Sequence, residues 1–252
     1  MIYQVVDWAV TYIECLVMLA SIILISGKKL EGSKYTVILC LAALGNAFLV
    51  AFLNSIRAFS FATPMISIVY LLSVSFFLSK GTLILRAASC ITVSFIVLAI
   101  GYIWIIFVCL LHGGDFEKAF LVFMTPGPSR CLYLSLDKTS DVVLYLIFRK
   151  HLYRLSTLKK RWLVSLLIGS VFAYGVTQYL MNAILSHDVH MMRQASIVSF
   201  LVLLLFFLIF SLLLLTVASR DQERAQRLVL QQTDRLMEKN YQMLYQDLQE
   251  NA

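Results

Sequence analysis

Long apolar runs separated by short charged clusters constrain this chain more than any other feature. There are seven runs, each near the roughly 20 residues that an α-helix needs to cross a hydrocarbon core. They cover about 5–26, 35–56, 62–79, 83–111, 131–148, 162–185 and 194–218. Hydrophobic residues make up 60% of the chain and charged residues 14%, which is more apolar surface than a water-soluble domain of this size can bury. The sequence therefore predicts an all-α membrane protein with a bundle of about seven transmembrane helices.

The fifth run, 131–148, contains Asp137, Lys138 and Asp141, so hydropathy alone leaves it in doubt. The Lys and Arg residues favour keeping it, because cytoplasmic loops carry an excess of basic residues. With seven spans and a cytoplasmic C-terminus, the inner segments hold eleven Lys and Arg and the outer segments four. With only six spans, most of the basic loops would lie outside the cell and not in the cytoplasm. We therefore predict a multi-pass protein of the cytoplasmic (inner) membrane, with its N-terminus outside and its C-terminus inside.

The predicted outer surface is small. Its largest segment is the loop 112–130, which carries the turn signal Pro126-Gly127-Pro128, and the next is 186–193. There is no separate ectodomain among these segments. Any extracellular ligand is therefore expected to bind at the membrane face or within the bundle.

A layer of polar residues lies inside the predicted spans. Ionisable groups in hydrocarbon cost about 2.5–3.5 kcal/mol each on insertion scales, so they normally face the bundle interior. At 1.5 Å per helical residue, the acidic group of the first span and the lysine of the fifth lie roughly 13 and 10 Å below the outer ends of their helices, and the other members fall within about one turn of that depth. The layer comprises Glu14, Asn46, Asp137, Lys138, Asp141 and Gln178.

Two interpretations of this layer remain open. Lys138 is predicted to pair with Asp141, Asp137 or Glu14, because an unpaired ammonium there would lose its proton or draw in water. The layer is then either a ligand pocket open to the outside or an interhelical ion pair that only fixes helix packing. Three carboxylates face one ammonium, so a pocket with all of them ionised would favour a cationic ligand.

The composition changes at about Ala218, and residues 219–252 contain no Gly or Pro. We call this segment the exit helix, and predict that it is cytoplasmic and continuous with the seventh span, so that the chain divides into a transmembrane domain (1–218) and a signalling or dimerisation helix (219–252). Apolar residues recur at spacings of three and four, as in a coiled-coil seam, over about two and a half heptads. A dimer seam, or a helix packed on a missing domain, is the favoured interpretation, and a solvated tail with chance periodicity is the alternative. The seam residues are Leu230, Met237, Tyr241, Leu244 and Leu248.

Motifs of enzymes and cofactor-binding proteins are missing from the sequence. No dinucleotide-binding, P-loop, zinc-protease or serine-hydrolase motif occurs, and the last span has no Lys for a retinal Schiff base. His187 and His190 with Asp188 could bind a metal weakly, but loop residues at the headgroup level are the preferred interpretation. We expect no metal, no cofactor and no nucleic-acid partner, because the basic residues lie between apolar runs and act as topology determinants.

The chain resembles the membrane sensor region of one kinase class in three features. These are its layout, its polar fifth span SLDKTSDVVLYLIFRK and its exit helix ending EKNYQMLYQDLQENA. This class is the peptide-pheromone-type histidine kinases of Gram-positive bacteria, the accessory-gene-regulator sensors with a GHKL-type ATPase domain. The resemblance covers the whole chain in the arrangement of its segments, but only about 35 residues in the type and pattern of amino acids. It implies that the exit helix leads into a segment bearing a phosphoacceptor His. This chain departs from that pattern, because its exit helix has no His and no ATP-binding domain follows within the 252 residues.

The resemblance and the polar layer together predict a membrane sensor for an extracellular peptide or small ligand. The ligand would enter past the loops 112–130 and 186–193, and a shift of the seventh span would carry the change to a homodimeric exit helix. ATP and a response regulator are expected only for a kinase domain that is missing here. The chain is either a fragment of a longer kinase, which we favour, or a natural relative without a kinase domain. The alternatives are a transporter or channel subunit with a cytoplasmic assembly helix, and a scaffold without a ligand.

Overall fold

The computed structural model of the chain describes residues 2–30, 32–56, 62–113, 116–152, 155 and 160–184, with 226–241 and single positions between 198 and 243. Contacts divide the chain into one unit over 1–209 and a second over 210–252. The described part of the first unit forms α1 (Ile2–Ser26), α2 (Ser33–Ile56), α3 (Ala62–Leu78), α4 (Leu83–Leu111), α5 (Phe116–Met124), α6 (Pro128–Leu152) and α7 (Lys160–Ile184). The prediction of an all-α fold is confirmed for these residues.

Three of the helices are long and apolar enough to cross a membrane, namely Tyr3–Ser26, Ser33–Ile56 and Leu83–Leu111. Ala62–Leu78 and Trp162–Thr177 are apolar but shorter. Helix α6 has 25 residues and includes the whole predicted fifth span, 131–148. Most of the predicted seventh span, 194–218, lies outside the described positions. The structure thus shows an all-helical bundle with three helices that could cross a membrane, while the count of seven spans and their orientation stay predictions.

Helices α2 and α3 bury several polar residues and expose several large apolar ones. In α3, Ser67 and Ser75 are buried, whereas Val69 and Phe77 are 63% and 75% exposed. In α2, Asn46 is fully buried while Phe52 on the outside is 64% exposed. A water-soluble bundle has the opposite distribution. This arrangement is typical of helices in lipid, whose small and polar side chains face neighbouring helices.

Helices α1 and α4 lie at the centre of the bundle. Helix α1 packs against α2, α3, α4 and α6, and α4 also packs against α3, α5, α6 and α7. The adjoining ends of α1, α3 and α4 dock closely. Lys29 N–H donates to Leu78 O at 3.0 Å, and Lys80 N–H donates to Gly27 O at 2.9 Å. Since Lys28, Lys29, Lys80 and Arg86 gather where α1 and α3 end and α4 begins, we call this the basic end.

The helices alternate in direction. The connections 27–32, 57–61 and 79–82 are short, and short connections join antiparallel neighbours. Helix α6 runs parallel to α1, because Asp7 contacts Arg130 near both helix starts and Glu14 contacts Lys138 two turns later.

Helix α7 runs parallel to α4. The hydroxyls of Thr92 and Ser170 lie 2.9 Å apart, and Tyr102 Oη donates further along both helices to Thr177 O at 3.5 Å. Because α4 is antiparallel to α3, the order α1, α2, α3, α4, α6, α7 therefore alternates throughout. Helices α1, α3 and α6 all end at the basic end.

The segment 112–130, predicted to be a loop, contains a helix. Helix α5 forms because Ala119 and Phe123, four residues apart, bury one face against Val108 and Cys109 of α4. The turn at Pro126-Gly127-Pro128 exists, but it ends sooner than predicted because Pro128 is already the first residue of α6. Proline suits a first helical position, since its missing N–H has no partner there in any case.

Candidate functional site

Lys138 lies at the centre of a charge cluster between α1 and α6. Its Nζ is 2.8 Å from Asp137 Oδ2, 3.1 Å from Glu14 Oε2 and 3.5 Å from Asp141 Oδ2. The sequence proposed these three carboxylates as alternative partners, and the structure brings all three to the one ammonium group. We call Glu14, Asp137, Lys138 and Asp141 the charge cluster. Whether it takes part in ligand binding stays a prediction.

The cluster is buried despite its charge. Asp137 and Asp141 are 5% and 3% exposed, and the Lys138 side chain is 13% exposed. Asp137 and Asp141 share a face of α6 because they are four residues apart, and that face packs against α1 and α4. Oδ1 of each aspartate accepts no hydrogen bond from the described residues. The cluster therefore keeps acceptors that protein groups within this part of the chain do not use.

A second ion pair links α1 and α6 about two turns nearer the N-terminal ends of both helices. Arg130 Nη2 lies 3.0 Å from Asp7 Oδ2. The sequence did not reveal this pair, because Arg130 falls in the segment 112–130, which was predicted to be a loop. A signal was present: Asp7 and Glu14 are seven residues apart and Arg130 and Lys138 are eight, so opposite charges repeat about two turns apart on both helices.

Asn46, which the sequence placed in the polar layer, is fully buried and joins three helices. Its Nδ2 donates to Cys15 Sγ of α1 at 3.3 Å, and its Oδ1 accepts from Ser67 Oγ of α3 at 3.1 Å. Both polar atoms of the amide therefore have partners. Within the protein, Asn46 fixes the packing of α1, α2 and α3.

A cavity of about 520 Å³ lies beside the charge cluster. Its volume falls within the range of roughly 300–1,000 Å³ that is usual for small-molecule sites. It is lined by residues of α1, α2, α3, α4, α6 and α7, and the charged side chains of the lining belong to Glu14, Arg130 and Lys138. The lining residues are Thr11, Glu14, Cys15, Met18, Asn46, Val50, Asn54, Thr63, Pro64, Ser67, Ser94, Val97, Leu98, Gly101, Tyr102, Ile105, Arg130, Lys138 and Tyr174.

The cavity occupies the half of the bundle opposite the basic end. Asn54 lies near the end of α2, Thr63 and Pro64 at the start of α3, and Arg130 at the start of α6. From there the lining continues to Met18 and Ser94 in the middle of α1 and α4. The cavity therefore extends from the end opposite the basic end to the middle of the bundle.

Two buried hydroxyls in the lining have no hydrogen-bond partner among the described residues, namely Thr63 Oγ1 and Ser94 Oγ. Most hydroxyls in this bundle bond back to their own helix, as Ser21 does to Val17 O and Thr177 does to Ala173 O. An unpaired buried hydroxyl is costly, so such groups usually have a partner such as water or a ligand. Thr63 and Ser94 are thus available to a molecule in the cavity.

Hydroxyls nearer the basic end are satisfied by protein groups. Ser26 Oγ and Ser89 Oγ lie 3.1 Å apart, and Ser79 Oγ donates to Ser75 O at 2.8 Å. The polar character of the interior therefore continues past the cavity, and there the hydroxyls of Ser26, Ser79 and Ser89 have partners within the protein.

The remaining predicted site residues lie partly outside the described residues. Gln178 falls within α7, but its side chain is not among those described, and neither are Leu244, Leu248, His187 or His190. Leu230, Met237 and Tyr241 lie on the helix that covers 226–241 and are 62%, 53% and 67% exposed. No group of three or more potential metal ligands occurs within the described ranges. Comparison with known family models, curated proteins and solved structures finds no match to this chain.

Proposed function

We propose that this chain is a membrane sensor module that takes an extracellular ligand, such as a short peptide, into the cavity beside the charge cluster. Ligand binding changes the packing of the bundle, and the exit helix passes the change to a histidine kinase domain outside these 252 residues. The observation that carries the proposal is the cavity of about 520 Å³ itself, which Glu14 and Lys138 line together with unpaired hydroxyls. An ion pair that served only as a packing device would need no such space.

The proposed orientation places the basic end in the cytoplasm and the cavity toward the outside. Its support is the position of Lys28, Lys29, Lys80 and Arg86 at one end of the bundle, as cytoplasmic loops require. The alternating helix directions are those of successive membrane crossings. With α6 as the fifth crossing and the segment 194–218 as the seventh, the exit helix is cytoplasmic and its exposed residues Leu230, Met237 and Tyr241 form the seam of a homodimer.

The alternative function, a transporter or channel subunit, requires a polar path across the whole bundle. Reception is favoured over transport by the hydroxyls of Ser26, Ser79 and Ser89. These groups lie toward the basic end and bond to protein groups, so they do not extend the polar lining of the cavity to that end. Reconstituted vesicles test this alternative directly. Solute flux that depends on the charge cluster would favour transport over reception.

The proposal is tested by asking whether the charge cluster controls the exit helix. Single cysteines are placed at Leu230, Met237 or Val229, and disulfide cross-linking between copies is measured in membranes. We expect cross-links at 230 and 237 to exceed those at 229. We also expect Lys138→Ala to change this pattern, because it removes the cation through which Glu14 of α1 contacts α6. Two arrangements of the bundle are enough for such a response.

The matched control is Arg149→Ala, which removes a cation from an exposed position of the same helix. It should leave the cross-linking pattern unchanged. If Lys138→Ala also leaves the pattern unchanged in a folded, membrane-inserted protein, the cluster is not coupled to the exit helix and the proposal fails. Equal cross-linking at all three positions would contradict the dimer seam.

A further inference from the structure

The charge cluster has an excess of negative charge next to the cavity. Glu14, Asp137 and Asp141 are three carboxylates, and Lys138 supplies one ammonium group for them. Arg130, the other cation of the lining, is already within 3.0 Å of Asp7. With every group ionised, the described charges around the cavity sum to a negative value. Uncompensated charge is costly inside a bundle that lipid surrounds, so this site favours a cation.

The lining of the cavity contains groups that could bind such a cation. Glu14 lines the cavity, and its side chain is 27% exposed, so its carboxylate is reachable from within. The unpaired hydroxyls of Thr63 and Ser94, which are 6% and 7% exposed, line the same space. Tyr102 and Tyr174 also line it, and aromatic side chains attract organic cations.

Much of the remaining lining is apolar. Val50, Pro64, Val97, Leu98 and Ile105 all face the space next to these polar groups. A bare metal ion would need several oxygen ligands around one point, and the three carboxylates that converge here already surround the ammonium group of Lys138. An apolar body with one charged group fits this lining better.

We propose that the cavity binds an organic cation, with an ammonium group at Glu14 and an apolar body against α2 and α4. This inference rests on the proposed function in taking the cavity as the ligand site, and it adds the chemical class of the ligand. A free amino group on an apolar compound or on a peptide has this chemistry.

The test compares two thiol reagents of similar size and opposite charge. Val97→Cys introduces a reporter in the cavity, and Thr125→Cys introduces one at an exposed turn beyond α5. Each variant is treated from outside with trimethylammonium-ethyl or sulfonato-ethyl methanethiosulfonate. The rate of adduct formation at the added cysteine is obtained by subtracting the adducts that form on the parent chain. We expect the ratio of cation to anion rates at Val97→Cys to exceed the ratio at Thr125→Cys by at least about tenfold, since nearby carboxylates attract one reagent and repel the other.

Glu14→Gln should lower this ratio at Val97→Cys several-fold, whereas Asp234→Asn in the exit helix, a matched loss of one carboxylate, should not change it. Val50→Cys on α2 serves as a second reporter if Val97→Cys does not fold. In addition, 2-phenylethylammonium should slow the reaction of the cavity cysteine with the uncharged methyl methanethiosulfonate, and 3-phenylpropionate should not.

The outcomes separate the two proposals. Labelling with equal ratios at both positions, or with preference for the anion, overturns the cation inference and leaves reception through the cavity standing. If neither cavity reporter reacts with any reagent in folded protein, the cavity is closed to the outside. In that case both the cation inference and the proposed entry of a ligand fail.

Discussion

At Lys138, one ammonium group contacts carboxylates from two helices, Glu14 on α1 and Asp137 and Asp141 on α6. An ammonium has three N–H donors. Oxygens of Asp137 and Glu14 lie 2.8 and 3.1 Å from it, whereas Asp141 Oδ2, at 3.5 Å, is an ion-pair partner that accepts no hydrogen bond from the described residues. Removing one partner of a buried ion pair leaves the others without compensation, at a cost of about 3–5 kcal/mol. Within the cluster, the contact of Glu14 on α1 with α6 therefore depends on a single side chain, next to the separate Asp7–Arg130 pair.

Replacing Lys138 should destabilise the protein strongly, and removing a carboxylate as well should restore part of the loss. We expect Lys138→Met to lower the thermal unfolding temperature in lipid nanodiscs. The double variant Lys138→Met/Asp141→Asn should unfold at a higher temperature than Lys138→Met alone, because fewer unpaired carboxylates remain. Arg149→Met, exposed on the same helix, is the control and should have little effect. Additive losses in the double variant would show that Lys138 and Asp141 do not interact.

The sequence predicted the members of this cluster because charge inside an apolar run is rare and demands a partner. It did not predict Asn46 as a link between Cys15 and Ser67, since a neutral amide, a thiol and a hydroxyl have many possible partners. Thr63 and Ser94 were missed for a related reason. Whether a helical hydroxyl bonds to its own backbone or faces a cavity depends on the neighbouring helices, which spacing along one chain does not define.

At the scale of the helices, hydropathy predicted most bounds closely. The predicted run 83–111 coincides with α4, and 62–79 differs from α3 by one residue. Helix α6 is longer than the predicted 131–148, because Arg130, Arg149 and Lys150 lie inside the helix but lower the hydropathy at both ends. Helix α5 was missed, since nine residues are too few for a span and its helical face is defined only by packing on α4.

Because α2 packs closely on α3, we expect Gly45→Ala to change stability in opposite directions in the natural chain and in the Tyr70→Phe variant. Gly45 lies against the hydroxyl of Tyr70, which donates to Ala42 O at 3.0 Å, and a Cβ at position 45 would overlap that hydroxyl. Gly45→Ala should therefore lower stability in the natural chain. In Tyr70→Phe the obstacle is gone, so Gly45→Ala should raise stability by up to about 1 kcal/mol, the difference in helix propensity.

Thermal unfolding of the four proteins in nanodiscs measures this effect. Tyr70→Phe alone should lose about 1 kcal/mol, since it removes one hydrogen bond. If Gly45→Ala has the same effect in both backgrounds, the Tyr70 hydroxyl does not limit the approach of α2 to α3.

For the whole molecule, the sequence predicted an arrangement in lipid with its basic loops on one side. The described helices alternate in direction, and Lys28, Lys29, Lys80 and Arg86 gather at one end while the cavity lies toward the other. The cavity itself could not be predicted, because its shape depends on how six helices pack. The sensor hypothesis depends on this polarity, since an extracellular ligand reaches the cavity only if the basic end is cytoplasmic.

This polarity is tested most directly by labelling single cysteines in intact cells with a membrane-impermeant maleimide. Thr125→Cys lies beyond α5, and Lys80→Cys is exposed at the basic end. The proposed orientation predicts that Thr125→Cys is labelled in intact cells above the background of the parent chain, and that Lys80→Cys is labelled only after permeabilisation. The reverse pattern, or labelling of both positions in intact cells, would contradict it.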